Sequence, residues 1–250
     1  MAIIKDEGYV LKRSLIRETS LLVTLFTRSN GKIKILLKGI RTSKRSQSAA
    51  CEPFTHLAIV YYEKLKSDIH LGSDVGILNA HSELRSRLDL LSHTSYVTES
   101  VDRLFSFHDP QADVFTLLGD TYRAMSQFKP EQVVRVFGVK LLQKVGWLPV
   151  LTQCAVCGTQ AFGQMFLSLR QGGVVCHICE RREPQTTPIS ATTLQSLVFF
   201  RDHSMDEAAQ RDVEESTARE LEDFGQRFLR FHLDYPLRSS KFITELRPLL

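Results

Sequence analysis

The sequence predicts an α+β, multidomain chain: a small N-terminal β-barrel, then an all-α helical domain with an inserted four-cysteine hairpin. Three observations carry this. Residues 1–80 hold short runs of β-branched and aromatic residues separated by turn residues. After about residue 80 the apolar residues recur at helical spacing. Between two helical stretches sit two C-x2-C pairs separated by 18 residues. With 250 residues, 43% apolar and 24% charged, the chain can bury a core without disulfide staples. The expected division is 1–80 for the barrel and 81–250 for the helical domain, with the cysteine insertion at about 150–185.

The elements follow in chain order. Tyr9–Ile16 and Leu21–Thr27 read as strands. Arg28-Ser29-Asn30-Gly31 supplies a turn, with Asn-Gly suited to positive φ. Lys32–Lys38 then alternates: Ile33, Ile35 and Leu37 point one way, and Lys32, Lys34 and Lys38, joined by Leu36, point the other. Gly39 ends that strand. Leu57–Glu63 is a further strand, followed by Ile69–Leu71 and Val75–Leu78 around glycine turns. About five short strands in 80 residues fit a closed barrel such as the oligonucleotide/oligosaccharide-binding (OB) fold. Tyr61 and Tyr62 face opposite sides of one strand, so either could stack on a base; the alternative is one in the core and one at the rim.

Leu84, Leu88, Leu91, Val97, Val101, Leu104 and Phe105 mark the first helical stretch. Asp109-Pro110 reads as a cap and first turn opening Gln111–Phe128. Pro130 opens a helix with Val134, Phe137, Leu141, Leu142 and Val145 on one face, which Gly146 stops. Ile189-Ser190 begins a helix to about Arg201, and Val213–Leu233 is a long amphipathic one.

The net charge of +4 is unevenly spread. Residues 1–80 hold 13 Lys/Arg against 7 Asp/Glu, a net +6, and the other 170 residues hold 19 against 21, a net −2. Nothing acidic lies between Glu18 and Glu52, an interval carrying Arg28, Lys32, Lys34, Lys38, Arg41, Lys44 and Arg45. A polyanion is the natural partner for such a surface, and a solvated, solubilising face is the plainer alternative. A cationic strand beside the basic segment Arg41-Thr-Ser-Lys44-Arg45 suits a phosphate backbone, which makes Lys32, Lys34, Lys38, Arg41, Lys44 and Arg45 the candidate DNA-binding residues.

Cys154-Ala-Val-Cys157 and Cys176-His-Ile-Cys179 match the two-knuckle zinc spacing. Four thiolates would close a tetrahedral shell around one zinc ion per chain and leave no position for water, so the metal is structural. Gly158 follows the first knuckle in the expected turn position, where the second has Glu180. Phe166–Leu169 and Val174-Val175, joined across Gly172-Gly173, form the intervening hairpin. Two disulfides or four free thiols are the alternatives; disulfides are disfavoured in a reducing compartment. His177 reads as a solvated neighbour, and the lone Cys51 as a small buried hydrophobe.

Several classes are excluded or weakened. The phosphate loop, G-x-G-x-x-G, G-x-S-x-G and H-E-x-x-H motifs are absent. His81-Ser82-Glu83 with Cys154-x-x-Cys157 faintly matches zinc deaminases, but Gln153 stands where they have proline and the second cysteine pair would have no role. The expectation is no enzyme. The longest apolar run, Leu57–Tyr62, is six residues, far short of a membrane span, and Lys5-Asp6-Glu7 interrupts the N-terminus too early for a signal peptide. The expected location is cytoplasmic.

The parts assemble into an arrangement that resembles the bacterial DNA repair and recombination mediators of the RecO family. Matching segments are Gly31-Lys-Ile-Lys-Ile-Leu-Leu-Lys38-Gly39-Ile-Arg41 and Glu52-Pro53-Phe54. Arg135-Val-Phe137 leading to Leu141-Leu142, Gly146-Trp147-Leu148-Pro149, the two knuckles with Gly172-Gly173-Val-Val-Cys176, and Ser239-Ser-Lys-Phe-Ile-Thr-Glu-Leu246 complete the set. The likeness spans essentially the whole chain; no one segment is decisive, but their order is specific. Such proteins often have an apolar residue before Glu-Pro-Phe, the place Cys51 fills here. Some relatives lack the cysteines, which implies a structural metal.

The resemblance implies a role in DNA repair, recombination and the DNA damage response through the RecF pathway, with nucleoid association. It implies binding of single- and double-stranded DNA, single-strand annealing, and work with RecR to load RecA onto DNA coated by single-stranded DNA-binding protein. For the acidic C-terminal tail of that protein, Arg135 and Lys140 on the helix before Trp147 are the candidates, with ordinary helix-surface charge as the alternative. A structural adaptor whose barrel binds protein, with no DNA contact, is the competing reading.

Overall fold

The computed structural model describes the chain except residues 1, 17, 41–49, 65–66, 162, 233–236, 241–242 and 244–250. Contacts group it into two compact units, Met1–Ser126 with Leu237–Leu250, and Gln127–Pro236.

In the first unit, β1 (Ile3–Ile16), β2 (Ser20–Thr27), β3 (Gly31–Leu37), β4 (His56–Tyr62) and β5 (Ile69–Asn79) form a closed barrel in the order β1-β2-β3-β5-β4. All neighbours are antiparallel except β3 and β5. This is the five-stranded OB arrangement. β1 is longer than its apolar pattern indicates because it serves two partners. Ile3–Tyr9 pairs with β4 and Gly8–Ile16 with β2, with a register shift between Val10 and Lys12.

Val10, Leu21, Val23, Leu25, Ile33, Ile35, Leu57, Ile59 and Tyr61 fill the barrel, with Cys51 buried among them. Burying the largest of these contributes about 1.5–3 kcal/mol per side chain. The glycines of β5 are not turns. Gly72 lies within one continuous strand, and a Cβ there would stand 2.3 Å from Leu37 Cδ2, so the strand passes close against β3.

A short 3-10 helix (Ser82–Arg85) leads to α1 (Leu88–Leu104) and α2 (Ala112–Met125). α2 begins after Gln111 as N-cap, later than Asp109-Pro110 suggests. These helices cover one side of the barrel. Tyr9 lies 4.9 Å from Phe115, Phe54 5.8 Å from Tyr122, and Phe26 5.6 Å from Phe105, ring to ring. The Tyr122 hydroxyl meets the Thr98 hydroxyl at 2.7 Å, so the buried phenol is satisfied. Burial and the neighbouring Glu7 carboxylate push the Tyr9 phenol up to about 12.

The second unit holds α3 (Pro130–Lys144), β6 (Met165–Ser168), β7 (Gly173–Cys176), α4 (His177–Glu180), β8 (Thr187–Ile189), α5 (Ala191–Asp202), α6 (Met205–Gln210) and α7 (Glu215–His232). Pro130 occupies the first turn of α3, where its missing N–H costs nothing. The Ser190 side chain caps α5 by accepting from the Thr193 N–H. α6 is set by a capping box between Ser204 and Glu207. α7 buries Ala218, Leu221, Phe224 and Phe228 along one face.

Candidate nucleic-acid interface and metal centre

The outer face of the barrel is built by strand register. Thr24 of β2 stands opposite Lys12 on one side and Lys34 on the other, so Lys12, Thr24 and Lys34 align across three strands. Phe26 and Lys32 form the next outward pair on β2 and β3. Along the outward side of β3 Lys32 is buried and Lys34 and Leu36 are half-buried; Lys38, expected to close the strand, is exposed in the turn just past Leu37.

Lys32 is the correction to the expected solvent-facing row of three lysines. Its side chain is 9% exposed. Its Nζ lies 3.4 Å from Asp102 Oδ1 and also donates to the Asp102 carbonyl. The cause is the end of α1 and the segment after it, which close over this end of the strand. β5 does not reach Lys32, and the open edge is taken instead by Phe107 and His108. The His108 N–H donates to the Lys32 carbonyl at 3.0 Å. Gly31 is required here twice over. It has φ +65°, and a Cβ would stand 2.2 Å from the Asp109 carbonyl oxygen.

Asp102 also accepts from Lys12 at 2.8 Å, so one carboxylate joins two lysines from β1 and β3. Burial alone would raise the Asp102 pKa, but Lys12 and Lys32 outweigh it and hold the carboxyl below the usual range. Burial pulls Lys32 below the ordinary lysine value, against the opposing pull of Asp102. Lys12 and Arg13 are exposed cations on this barrel that the sequence reading did not select. They follow the buried Leu11 in a run of exposed residues, 12–15, that lies outside the acid-free interval.

Lys34 and Lys38 remain on the accessible part of the face. Arg41, Lys44 and Arg45 lie outside the described residues. Tyr61 is core, 2% exposed and stacked on His70 at 5.2 Å, whereas Tyr62 is half-buried.

The four knuckle cysteines converge: the sulfurs of Cys154, Cys157, Cys176 and Cys179 all lie within 4.8 Å of one another. The fold brings them there through short-range geometry. The first knuckle is a tight loop in which the Gly158 N–H donates to the Cys154 carbonyl and the Cys154 N–H to the Thr159 carbonyl. β6 and β7 pair as the expected hairpin, and β8 adds to the free edge of β6. Cys176 then stands at the N-cap position of α4, and its N–H points at the Cys154 sulfur, 3.4 Å away.

The donor set has the chemistry of a cation site. Burial alone would raise the Cys154 pKa, but backbone N–H donors more than offset it and hold the thiol below its ordinary value. Hydrogen bonds to Thr159 bring Cys157 down to about 6. Burial and the surrounding sulfurs push Cys179 up to about 12. Four sulfurs this close cannot all carry charge unless a cation lies among them. The cluster could therefore hold a metal ion. His177 is exposed, and Glu180 accepts from the Thr186 hydroxyl, so neither is drawn into the cluster.

Arg135 is half-buried and committed within its own unit, 2.6 Å from Glu222, with a further bond to Gln132. Lys140 donates to the His203 carbonyl. His203, Leu151, Val198, Phe199 and Arg211 line a largely apolar cleft of about 510 Å³. His81 and Glu83, the deaminase-like pair, lie in the first unit, and Cys154 lies in the second. No helix among the described residues is long and apolar enough to cross a membrane.

Comparison with known proteins places these features together. Residues 1–80 match the family model described as Recombination protein O N terminal, and residues 85–241 match Recombination protein O C terminal. A DNA repair protein RecO of Anaeromyxobacter sp. (strain K) is 31% identical over 250 residues, covering 99% of this chain and 98% of that protein. The DNA repair protein RecO of Bacillus pumilus (strain SAFR-032) is 28% identical, covering 98% and 94%. That of Thermoanaerobacter sp. (strain X514) is 26% identical, covering 99% of each chain. The two family models together cover nearly the whole chain, and the chain belongs to the Recombination protein O family.

Proposed function

We propose that this protein is a DNA-binding recombination mediator that acts by neutralising phosphate backbones. The observation that supports this most is the outer barrel face. Lys12, Lys34 and Lys38 stand on it with no catalytic constellation among them. Annealing two complementary strands makes no covalent bond; it requires only that two polyanions approach, which cations permit. Lys34 and Lys38, with Arg41, Lys44 and Arg45, are the contacts we assign to single- and double-stranded DNA. Lys32 serves the face from beneath by fixing Asp102 and the backbone around it.

In this reading residues 1–80 are the nucleic-acid-binding domain and 81–250 the helical domain. The protein works with RecR to load RecA onto DNA coated by single-stranded DNA-binding protein. The acidic tail of that protein would enter the apolar cleft of the second unit, with Lys140 beside it through His203. Arg135 would contribute only if a tail carboxylate replaced Glu222.

The metal we assign is zinc, one per chain. Tetrahedral bonds of about 2.3 Å put sulfurs about 3.8 Å apart, and Cys157 and Cys176 are 3.8 Å apart. Four thiolates fill the shell, so the ion would lock the hairpin and perform no chemistry.

The test is fluorescence strand annealing with the pure protein. Annealing should proceed without ATP or Mg²⁺, with and without single-stranded DNA-binding protein. Failure to bind or anneal any DNA at low salt would favour the adaptor reading.

A further inference from the structure

The segment between α1 and α2 carries three aromatic side chains, of which Phe105 is buried against Phe26 and two others are not. Phe107 is half-buried and His108 is exposed. Both are held against the outer barrel face rather than hanging free. Phe107 bridges to Lys32 of β3, and the His108 N–H donates to the Lys32 carbonyl. The absent side chain of Gly31 makes room for Asp109. His108 sits at φ 61°, a left-handed conformation that a non-glycine residue adopts only when its surroundings impose it. One edge of its ring rests on His70 at 5.4 Å, which stacks in turn on Tyr61.

The chemistry beside these rings is cationic. Lys34 Nζ lies 4.6 Å and Lys32 Nζ 4.8 Å from the centre of the Phe107 ring. Lys32 is fixed by Asp102, whereas Lys34 is half-buried at the accessible edge. The nearby Asp109 carboxylate accepts from the Gln111 amide. An aromatic ring on a fixed backbone beside ammonium groups is what binds single strands without regard to sequence: bases stack and phosphates pair.

We propose that Phe107, with His108 beside it, is a stacking platform for an unpaired nucleobase of single-stranded nucleic acid. This deepens the reading of the barrel face and rests on it. A base that takes the ring releases Lys34 from its contact with Phe107. The ammonium is then free to pair with a phosphate of the same strand, a stronger charge-assisted bond. A duplex offers no free base face, so the platform favours single strands and is vacated as they pair. The structure thereby gives an annealing protein a means of binding substrate more tightly than product.

The test compares a single-stranded oligonucleotide containing 2-aminopurine with a duplex of equal length. Phe107→Leu keeps apolar bulk and removes the aromatic face. It should weaken single-strand binding roughly five- to a hundredfold, leave duplex binding within about twofold, and abolish the stacking-induced quench. Phe107→Trp should restore single-strand binding and the quench, which separates stacking from packing. His108→Ala should give a smaller loss of the same kind. Single-strand binding and quench unchanged in a folded Phe107→Leu protein overturn the platform while leaving the lysine face intact. Equal loss on both DNAs, not restored by Phe107→Trp, overturns it as well. Wild-type protein that binds neither DNA overturns the reading of the whole face.

Discussion

The cysteine cluster and the lysine strand are both spelled out by spacing, yet only one of them folds as its spacing implies. In the cluster, each pair is held by a loop of a few residues, and one hairpin brings the pairs together. Nothing distant in sequence is needed. On β3, period-two alternation correctly puts Ile33, Ile35 and Leu37 inside. It says nothing about what covers the other face, and Asp102 and Phe107, 70 and more residues away, bury Lys32. A motif closed by local geometry can be read directly. A surface can be read only when everything that packs on it is known.

The difference can be tested first where the effect should be largest. Replacing Cys154 with Ser, or stripping the metal with a chelator, should cost the second unit several kcal/mol, against about 10–16 kcal/mol for metal binding in zinc-finger peptides. Trp147 lies in that unit and reports its unfolding by fluorescence. Metal analysis of freshly reduced protein should find about one zinc per chain. An unchanged unfolding curve after metal removal would make the cluster incidental.

Next comes the buried lysine. Asp102→Ala leaves Lys32 covered and without its carboxylate, which should cost the first unit about 3–5 kcal/mol in urea unfolding. The double variant Lys32→Met with Asp102→Leu should recover most of that. Lys38→Glu, in the exposed turn just past the same strand, should stay within about 0.5 kcal/mol of wild type. Equal costs at Lys32 and Lys38 would mean the strand is covered along its whole length.

A smaller effect follows from the same pair. Because the folded Asp102 pKa lies below its unfolded value of about 3.9, its stabilisation is fully present above that value. It is lost as pH falls through the folded pKa. Acid titration should therefore destabilise wild type more steeply than Asp102→Asn below about pH 4. Parallel curves would show that Asp102 is not held by the lysines.

The sequence carried the barrel, the main helices, the hairpin and the convergence of the four cysteines, since each rests on local periodicity or fixed spacing. It missed what depends on close approach or distant cover. β5 was expected in two pieces around glycines, but Gly72 is where two strands press together. α6 has only about one and a half turns, and its signal in the sequence is the capping box of Ser204 and Glu207. β8 joins the hairpin only because a free edge awaits it. The grouping of α1 and α2 with the barrel follows from aromatic contacts such as Tyr9 with Phe115, which no local pattern announces.

The central claim is that the open end of the outer barrel face receives DNA phosphates. The direct measurement is binding of the folded Lys34→Glu, Lys38→Glu double variant to a single-stranded oligonucleotide across a salt series. If wild type neutralises three to five phosphates, its log–log slope should be roughly −2 to −3.5, at about −0.7 per phosphate. The variant should bind more weakly at every salt concentration, with a slope shallower by about 1.4. Wild-type affinity with an unchanged slope would contradict the claim and leave this face a solvated surface.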